Sequence, residues 1–194
     1  MFNIFRRKRK VRELNLHLNM PLQPMHRHSF EDELQKVLKK FDLGTIQGGG
    51  TMLNDADGVI QSCDIEINLY ENKDNSFEKL IDILNKFGIS KGSSLSGEGI
   101  ETPIPTGTLE GLAFYVNGTI LTNETNKNCD INDFIDEMLV ALDGAGALYS
   151  FWNTDQWMIF YLYGDSFDEM KRKIEPFIAT HPLCQKSKIE KMAE

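Results

Sequence analysis

The chain has 194 residues, of which 41% are hydrophobic and 26% are charged, and its formal net charge at pH 7 is -8. This composition is that of a globular protein and excludes a disordered or fibrous chain, and the length suits one large domain or two of about 90 residues each. No apolar run approaches the roughly 20 residues of a membrane-spanning helix, and the three cysteines are widely spaced, so we expect a cytoplasmic protein without disulfides.

The charge is unevenly distributed along the chain. Residues 1–13 contain six basic side chains against Glu13 alone, so the other 181 residues hold 15 of the 21 basic and 28 of the 29 acidic side chains, a balance of -13. A body this acidic repels phosphate backbones. We therefore expect no nucleic acid as a partner and favour a basic protein instead.

Residues 1–11 are predicted to form a basic N-terminal tail. Its apolar residues Phe2, Ile4 and Phe5 precede the basic run, which is the reverse of the order in a secretory signal. Two interpretations remain open. The tail is either a solubilising extension or a weak peripheral membrane contact, in which the apolar side chains enter the headgroup region and the basic run meets anionic lipid.

Residues 12–96 are predicted to form a first α+β unit. Alternation of Leu14, Leu16 and Leu18 with polar residues is typical of a half-buried strand. The predicted elements of this unit are a strand over 12–20, a helix with Ser29 at its N-cap, strands over 43–53 and 59–70, a helix with an apolar stripe from Phe77 to Phe87, and a strand over 93–96.

Residues 97–110 are rich in Gly, Pro and Thr and are predicted to be a linker. Residues 111–194 are predicted to form a second α+β unit that repeats the order of the first. Its predicted elements are a strand over 111–117, a helix with Asp130 at its N-cap, strands over 147–152 and 156–163, a helix capped by Ser166, and a strand over 183–190.

Each unit thus has the order βαββαβ, which is the order of the ferredoxin-like superfold. The chain is predicted to be an α+β protein with a tandem duplication of this unit, with antiparallel or mixed sheets and helices on one face of each sheet. Because a superfold hosts many unrelated functions, the function has to be sought on particular surfaces.

Strand alternation assigns the face of the first sheet that the helices leave open. The polar side chains expected there are Glu13, Asn15, His17 and Asn19 beside Asp64, Glu66 and Asn68. This face has three interpretations: a solvated surface, a binding surface for a basic protein, or a metal or acid/base site around His17. Metal binding and catalysis need a pocket, which a flat sheet does not provide, so we assign no catalytic residue, metal or cofactor.

The second sheet is predicted to be covered on both faces. Its strand over 156–163 places Met158, Phe160 and Leu162 on one side, and the other side is also apolar, with Trp157, Ile159, Tyr161 and Tyr163. A strand that is apolar on both faces is normally buried on both. The cover is the first unit, a second copy in a homodimer, or a foreign partner, so Tyr115, Trp157 and Tyr161 are candidate binding residues.

Aromatic residues on central strands of a βαββαβ unit resemble RNA-recognition motifs, but the resemblance ends at topology. The basic, glycine-containing signature of those motifs is replaced here by Trp157-Met-Ile-Phe-Tyr161. The triplet Gly48-Gly49-Gly50 lacks the helix and the lysine of a phosphate loop. We interpret it as a bulge or a close approach of backbones.

Two hypotheses follow. The first is a non-enzymatic protein-binding module of the bacterial cytoplasm that binds a basic partner through the acidic sheet face, with an immunity-type toxin neutraliser as one specific form. The alternative is a small-molecule-binding or enzymatic protein with a pocket between the two sheets, lined by Tyr115, Trp157 or Tyr161 together with His17, Asp64 or Glu66.

Overall fold

The computed structural model describes residues 9–56, 58–71, 75–118 and 130–192. This part of the chain forms nine strands and four α-helices. In chain order the elements are β1 Val11–Leu18, α1 Pro24–Lys40, β2 Gly44–Leu53, β3 Ile60–Tyr70, α2 Ser76–Lys86, β4 Ser93–Gly97, β5 Ile104–Thr106, β6 Glu110–Asn117, α3 Ile131–Leu142, β7 Ala147–Asn153, β8 Trp157–Gly164, α4 Phe167–Thr180 and β9 Lys188–Met192.

The strands form two sheets with the same internal order. The first sheet runs β2-β3-β1-β4-β5 and the second runs β7-β8-β6-β9, and the named strands pair antiparallel throughout. Apart from β5, each sheet places the second strand of its unit at one edge and the first and third strands in the centre. This arrangement confirms the predicted α+β fold with a duplicated ferredoxin-like unit.

The alternating leucines of β1 build the core of the first unit, as predicted. Leu16 and Leu18 are fully buried with Ile65 of β3, and Leu34 and Leu80 from the two helices belong to the same buried cluster. Burial of each such side chain stabilises the fold by about 1.5–3 kcal/mol. The second unit has an aromatic core in which the rings of Phe114, Phe134 and Phe160 contact one another.

The first unit covers the open face of the second sheet. Tyr161 and Tyr163 of β8 belong to the same buried cluster as the core of the first unit, with exposures of 2% and 1%. Trp152 Nε1 donates a hydrogen bond of 3.0 Å to the Gly58 carbonyl of the β2–β3 loop. Of the three covers expected from the sequence, packing within the chain is the one observed over Tyr161 and Tyr163.

Local capping signals predicted the later helices better than the first. Asp130 accepts from the Asn132 amide at 2.8 Å and Ser166 accepts from the Glu169 amide at 3.3 Å, so both predicted N-caps are confirmed. The prediction of Ser29 as an N-cap is wrong. Helix α1 starts at Pro24, because the fixed φ of proline suits the first turn, and the Ser29 hydroxyl donates to the Met25 carbonyl inside the helix.

Other boundaries also differ from the predicted ones. Residues 104–106, placed in the linker by composition, pair with β4 as the short edge strand β5. The last strand starts at Lys188, because Pro182–Cys184 first form a 3-10 turn.

The described end of the basic tail lies on the body of the first unit. Lys10 Nζ is 2.6 Å from Glu71, and Arg9 Nη1 is 2.5 Å from Asp42. Residues 1–8, which carry the predicted membrane contact, lie outside the described residues. In the described ranges no helix is both long enough and apolar enough to cross a membrane.

Candidate functional site

The central strands of the first sheet align the predicted polar residues in pairs. In the β1–β3 register, Glu13 lies opposite Asn68, Asn15 opposite Glu66, and His17 opposite Asp64. The leucines and isoleucines between them are buried under the helices. Because successive side chains of a strand point to opposite faces, these six polar side chains share the face that α1 and α2 leave open.

This open face is concave rather than flat. It contains a groove of about 450 Å³, and the residues that line it include Glu13, Asn15, Gln47, Glu66, Asn68 and Gly97. The register of β2 against β3 shifts at Gln47, which marks a bulge, and bulges increase the local twist of a sheet. Beyond the bulge, Gly48 and Gly50 lie opposite Glu66 and Asp64 and carry no side chain above the sheet.

Two carboxylates in this groove are not neutralised. Glu13 and Glu66 are both exposed, and neither side chain has a hydrogen bond or an ion pair with any described residue. The nearest basic side chain of β1, Arg12, lies on the other face, where its guanidinium packs over the Phe77 ring at 4.3 Å. The groove therefore carries uncompensated negative charge.

Asp64 has partners on the same face. Its Oδ1 accepts from Asn15 Nδ2 at 3.1 Å and lies 3.1 Å from His17 Nδ1. The side chains of His17 and Asp64 are 40% and 35% exposed, so water screens the pair. Among the described residues there is no group of three His, Cys, Asp or Glu side chains that could hold a metal ion.

Asn19 does not belong to the groove, contrary to the prediction. Its amide nitrogen Nδ2 donates to the Lys91 carbonyl at 3.1 Å, and its backbone N–H donates to Ser93 Oγ at 3.0 Å. Both contacts hold the turn that leads into β4. The alternation of β1 would place Asn19 on the open face only if the strand continued past Leu18, where it ends.

The aromatic candidates lie elsewhere, on the second sheet. Tyr115 and Trp157 pack edge to face with ring centroids 5.9 Å apart, and the ammonium of Lys188 lies 4.3 Å from the Tyr115 ring centroid. Tyr161 is buried by the first unit and is not accessible to a partner. Neither the groove of about 450 Å³ nor a second groove of about 420 Å³ combines these aromatics with His17, Asp64 or Glu66.

That second groove lies where the two units meet. The residues that line it include Leu22, His26, Phe30, Phe87, Leu148 and Tyr149. His26 Nδ1 is 3.0 Å from Ser150 Oγ of β7, and burial lowers the pKa of His26 below its ordinary value of 6.5. No local sequence signal marks this groove. The residues that line it are up to 127 positions apart in the chain, from Leu22 to Tyr149, and they meet only because the two units pack together.

Comparisons with known proteins found similarity to solved structures only. No protein-family model and no curated protein matches the chain. Among solved structures, the regulatory subunit of aspartate kinase from Thermus thermophilus is 9% identical over 88% of this chain and 97% of that chain, with a TM-score of 0.27.

A putative monooxygenase from Fusobacterium nucleatum is 12% identical over 94% of this chain and 92% of its own, with a TM-score of 0.30. An unknown protein from Galdieria sulphuraria is 11% identical over 94% and 98% of the two chains, with a TM-score of 0.26. At such identities and scores these likenesses carry nothing about activity, ligands or site residues.

Proposed function

We propose that the chain is a non-enzymatic protein-binding module of the bacterial cytoplasm that binds a basic protein through the open face of the first sheet. The observation that carries this proposal is the pair Glu13 and Glu66, two exposed carboxylates beside one groove without a cationic partner among the described residues. A basic partner would supply the missing positive charge.

The charge distribution supports a fast and selective encounter. The residues after 13 have a balance of -13, so a cationic surface is attracted before contact is made. Within the groove, an arginine guanidinium can form paired hydrogen bonds with a carboxylate, and these charge-assisted bonds are stronger than those between neutral groups. The amide side chains of Asn15, Gln47 and Asn68 add neutral hydrogen-bonding groups around the carboxylates.

The exposure of His17 and Asp64 favours binding over acid/base chemistry. Acid/base groups act most effectively in a site from which water is excluded, whereas both of these side chains are more than one-third exposed, at 40% and 35%. Their contact stabilises the orientation of Asp64 on the face. In this proposal they shape the surface and do not transfer protons.

The proposal is tested by reversing the two free carboxylates. The variant Glu13→Lys with Glu66→Lys removes the negative charge of the groove while leaving the Asn15–Asp64 and His17–Asp64 contacts in place. The matched control is Asp136→Lys with Asp155→Lys, which makes the same change in net charge at two exposed positions of the second unit.

The wild-type chain and both double variants are each used to capture proteins from a lysate at low salt, and the captured proteins are identified. We expect a basic protein that binds the wild-type and control chains, is lost from the groove variant, and dissociates as salt is raised, because salt screens the charges. A partner that is retained equally by all three chains, or one that is acidic, would contradict the proposal.

The specific form that we propose is neutralisation of a basic toxin. The captured protein is purified and assayed for nuclease or other activity as the wild-type chain is added in increasing ratio. Loss of activity at about one equivalent, and no loss with the groove variant, is the expected result. If the captured protein keeps its full activity when saturated with the wild-type chain, the neutralising role is contradicted and only the protein-binding role stands.

A second candidate function rests on the groove between the units. Its walls are mainly apolar, and His26 and Glu33 supply polar groups at its rim, which suits a small apolar ligand with a hydrogen-bonding group. The substitution Leu148→Trp would fill the groove. Ligands that raise the melting temperature of the wild-type chain and not of this variant would support the small-molecule alternative, and a screen without such ligands would oppose it.

A further inference from the structure

Strand β2 is an unprotected edge of the first sheet. It has ten residues, GTIQGGGTML, without a charged residue or a proline, and no described strand lies on its outer side. Long uncharged edges readily pair with another strand, and proteins usually protect them with charged residues or proline. At the far end of β2, Met52 and Leu53 are 52% and 48% exposed.

Helix α1 covers only the beginning of this edge. The Gln35 side chain accepts from the Ile46 amide at 2.8 Å and donates to the Gly44 carbonyl at 3.4 Å, so it takes the place of a neighbouring strand there. From Gly48 to Leu53 the described structure shows no such substitute. These six residues are the accessible part of the edge.

The glycines of this stretch leave an open path from the edge to the carboxylates. A Cβ atom at Gly50 would meet nothing within 4 Å, and one at Gly48 would have its nearest contact at 3.6 Å, with Glu66 Oε2. Strands in a sheet lie about 4.8 Å apart, so a strand added outside β2 would be about 10 Å from β3. Because no side chain stands between them, a long cationic side chain on that strand can extend over β2.

We propose that an extended segment of the partner adds to β2 as a further strand between Gly48 and Leu53. Every second residue of this segment is Arg or Lys, and its side chain lies across Gly48 or Gly50 toward Glu66 or Asp64. Backbone hydrogen bonds supply affinity and the alternating cations supply selectivity, as in other cases of strand addition. The choice of a basic segment rests on the proposed function.

Charge disfavours a second copy of the chain as the added strand. Pairing of β2 with β2 would join two open faces that both carry Glu13, Asp64 and Glu66, and the uncharged β2 strands would contribute no cation. Like charges brought together on one surface oppose association. A basic segment satisfies both the free edge and the free carboxylate of Glu66.

The test uses a synthetic peptide of about nine residues in which arginine alternates with valine, together with two N-methylated versions. One version is methylated at the odd backbone nitrogens and the other at the even ones, and both keep every charge. Binding to the ¹⁵N-labelled full chain is followed by NMR, with amide exchange measured for Gly48–Leu53.

We expect the unmethylated peptide to slow exchange of alternate amides in Gly48–Leu53. One of the two methylated peptides should bind at least about tenfold more weakly than the unmethylated peptide. Only in that peptide are the methylated nitrogens the ones whose N–H groups would donate to β2. The variant Gly50→Val should also weaken binding about tenfold without loss of fold. The control Thr45→Val, on the same face but in the stretch covered by Gln35, should bind as the wild type does.

Three results would overturn the inference, and they are distinguishable. Equal binding of all three peptides, with NMR chemical-shift changes confined to groove residues, would contradict strand addition. It would not contradict binding of a basic partner by the acidic face. Failure of every cationic peptide, together with a physiological partner insensitive to Glu13→Lys and Glu66→Lys, would remove the proposed function as well. Sedimentation showing a dimer without peptide, with the β2 amides already protected, would identify a second copy as the added strand.

Discussion

His26 Nδ1 of helix α1 and Ser150 Oγ of strand β7 lie 3.0 Å apart although 124 positions separate them in the chain. The same hydroxyl accepts from the backbone N–H of Gln23 at 3.1 Å, and Ser150 is fully buried. The Ser150 hydroxyl can thus accept from Gln23 and still share a hydrogen bond with His26 Nδ1. One serine side chain thus joins the start of the first helix to the second sheet.

We predict that Ser150→Ala destabilises the protein. The substitution removes the partner of the Gln23 backbone N–H and of His26 Nδ1, both half-buried, and a buried group left unpaired costs about 1–3 kcal/mol, so the loss should lie toward the lower end of this range. Urea unfolding should show this loss. The control is Ser29→Ala, which removes an exposed hydroxyl from helix α1. It should change the free energy of unfolding by less than about 0.5 kcal/mol. Equal stability of the two variants would show that Ser150 does not join the units.

The lowered pKa of His26 predicts a dependence of stability on pH. Because the folded pKa lies below the unfolded value, the unfolded chain binds more protons in this range and stability rises with pH. The contribution of His26 is therefore fully present above about pH 6.5 and is lost as the pH falls through 6.5 toward the folded pKa.

The difference in unfolding free energy between the wild type and His26→Gln, measured from pH 7.5 to 5, isolates this contribution from the other titrating groups. We expect the wild type to lose more stability than the variant on acidification. Parallel curves would show that His26 titrates alike in both states.

The glycine triplet offers a matched pair of substitutions. A Cβ atom at Gly49 would lie 2.5 Å from the Asp64 carbonyl oxygen and 2.5 Å from Glu31 Oε1, whereas one at Gly50 would meet nothing within 4 Å. We predict that Gly49→Ala costs about 1–3 kcal/mol through overpacking. Gly50→Ala should be neutral or stabilising by up to about 1 kcal/mol, since alanine reduces the freedom of the unfolded chain. The melting temperatures of both variants are measured by thermal unfolding. Similar melting temperatures for the two would refute this assignment.

Tyr163 carries a buried hydroxyl between the units that has no hydrogen-bond partner among the described residues, and burial raises its pKa well above the ordinary value. Removal of an unsatisfied buried polar group is favourable, so Tyr163→Phe should stabilise the protein by about 1 kcal/mol. Tyr149→Phe is the control, because Tyr149 contacts the Tyr163 ring but is only half-buried. A loss of stability in Tyr163→Phe would mean that its hydroxyl is paired in solution.

The elements and the open face were predictable because their signals are local. Alternation along Val11–Leu18 and Ile60–Tyr70 has a period of two residues, and the helical stripes have a period of 3.6, so each can be recognised within one segment. The caps Asp130 and Ser166 act within three residues of themselves. Local rules failed at Pro24, where proline competes with Ser29 as a start signal, and at β5, which is too short to show a period.

The groove was only partly predictable. Alternation placed Glu13, Glu66 and Asn68 on one face, and the structure adds the concavity. The structure also shows the register shift at Gln47 and the β3 residues that lie opposite Gly48 and Gly50, and alternation within one strand does not specify its register against the next. The alternation signal also continues past the end of β1, so it wrongly places Asn19 on this face.

Residue patterns along the chain were enough to predict two βαββαβ units, the side of each strand that faces its helices, and the need to cover the apolar outer face of β8. That the first unit provides this cover, and that no described strand pairs with the outer side of β2, is visible only in the folded protein. The physical reason is distance along the chain. Periodicity and capping act within a few residues, whereas Ser150 with Gln23 and Trp152 with Gly58 meet only after both sheets have formed.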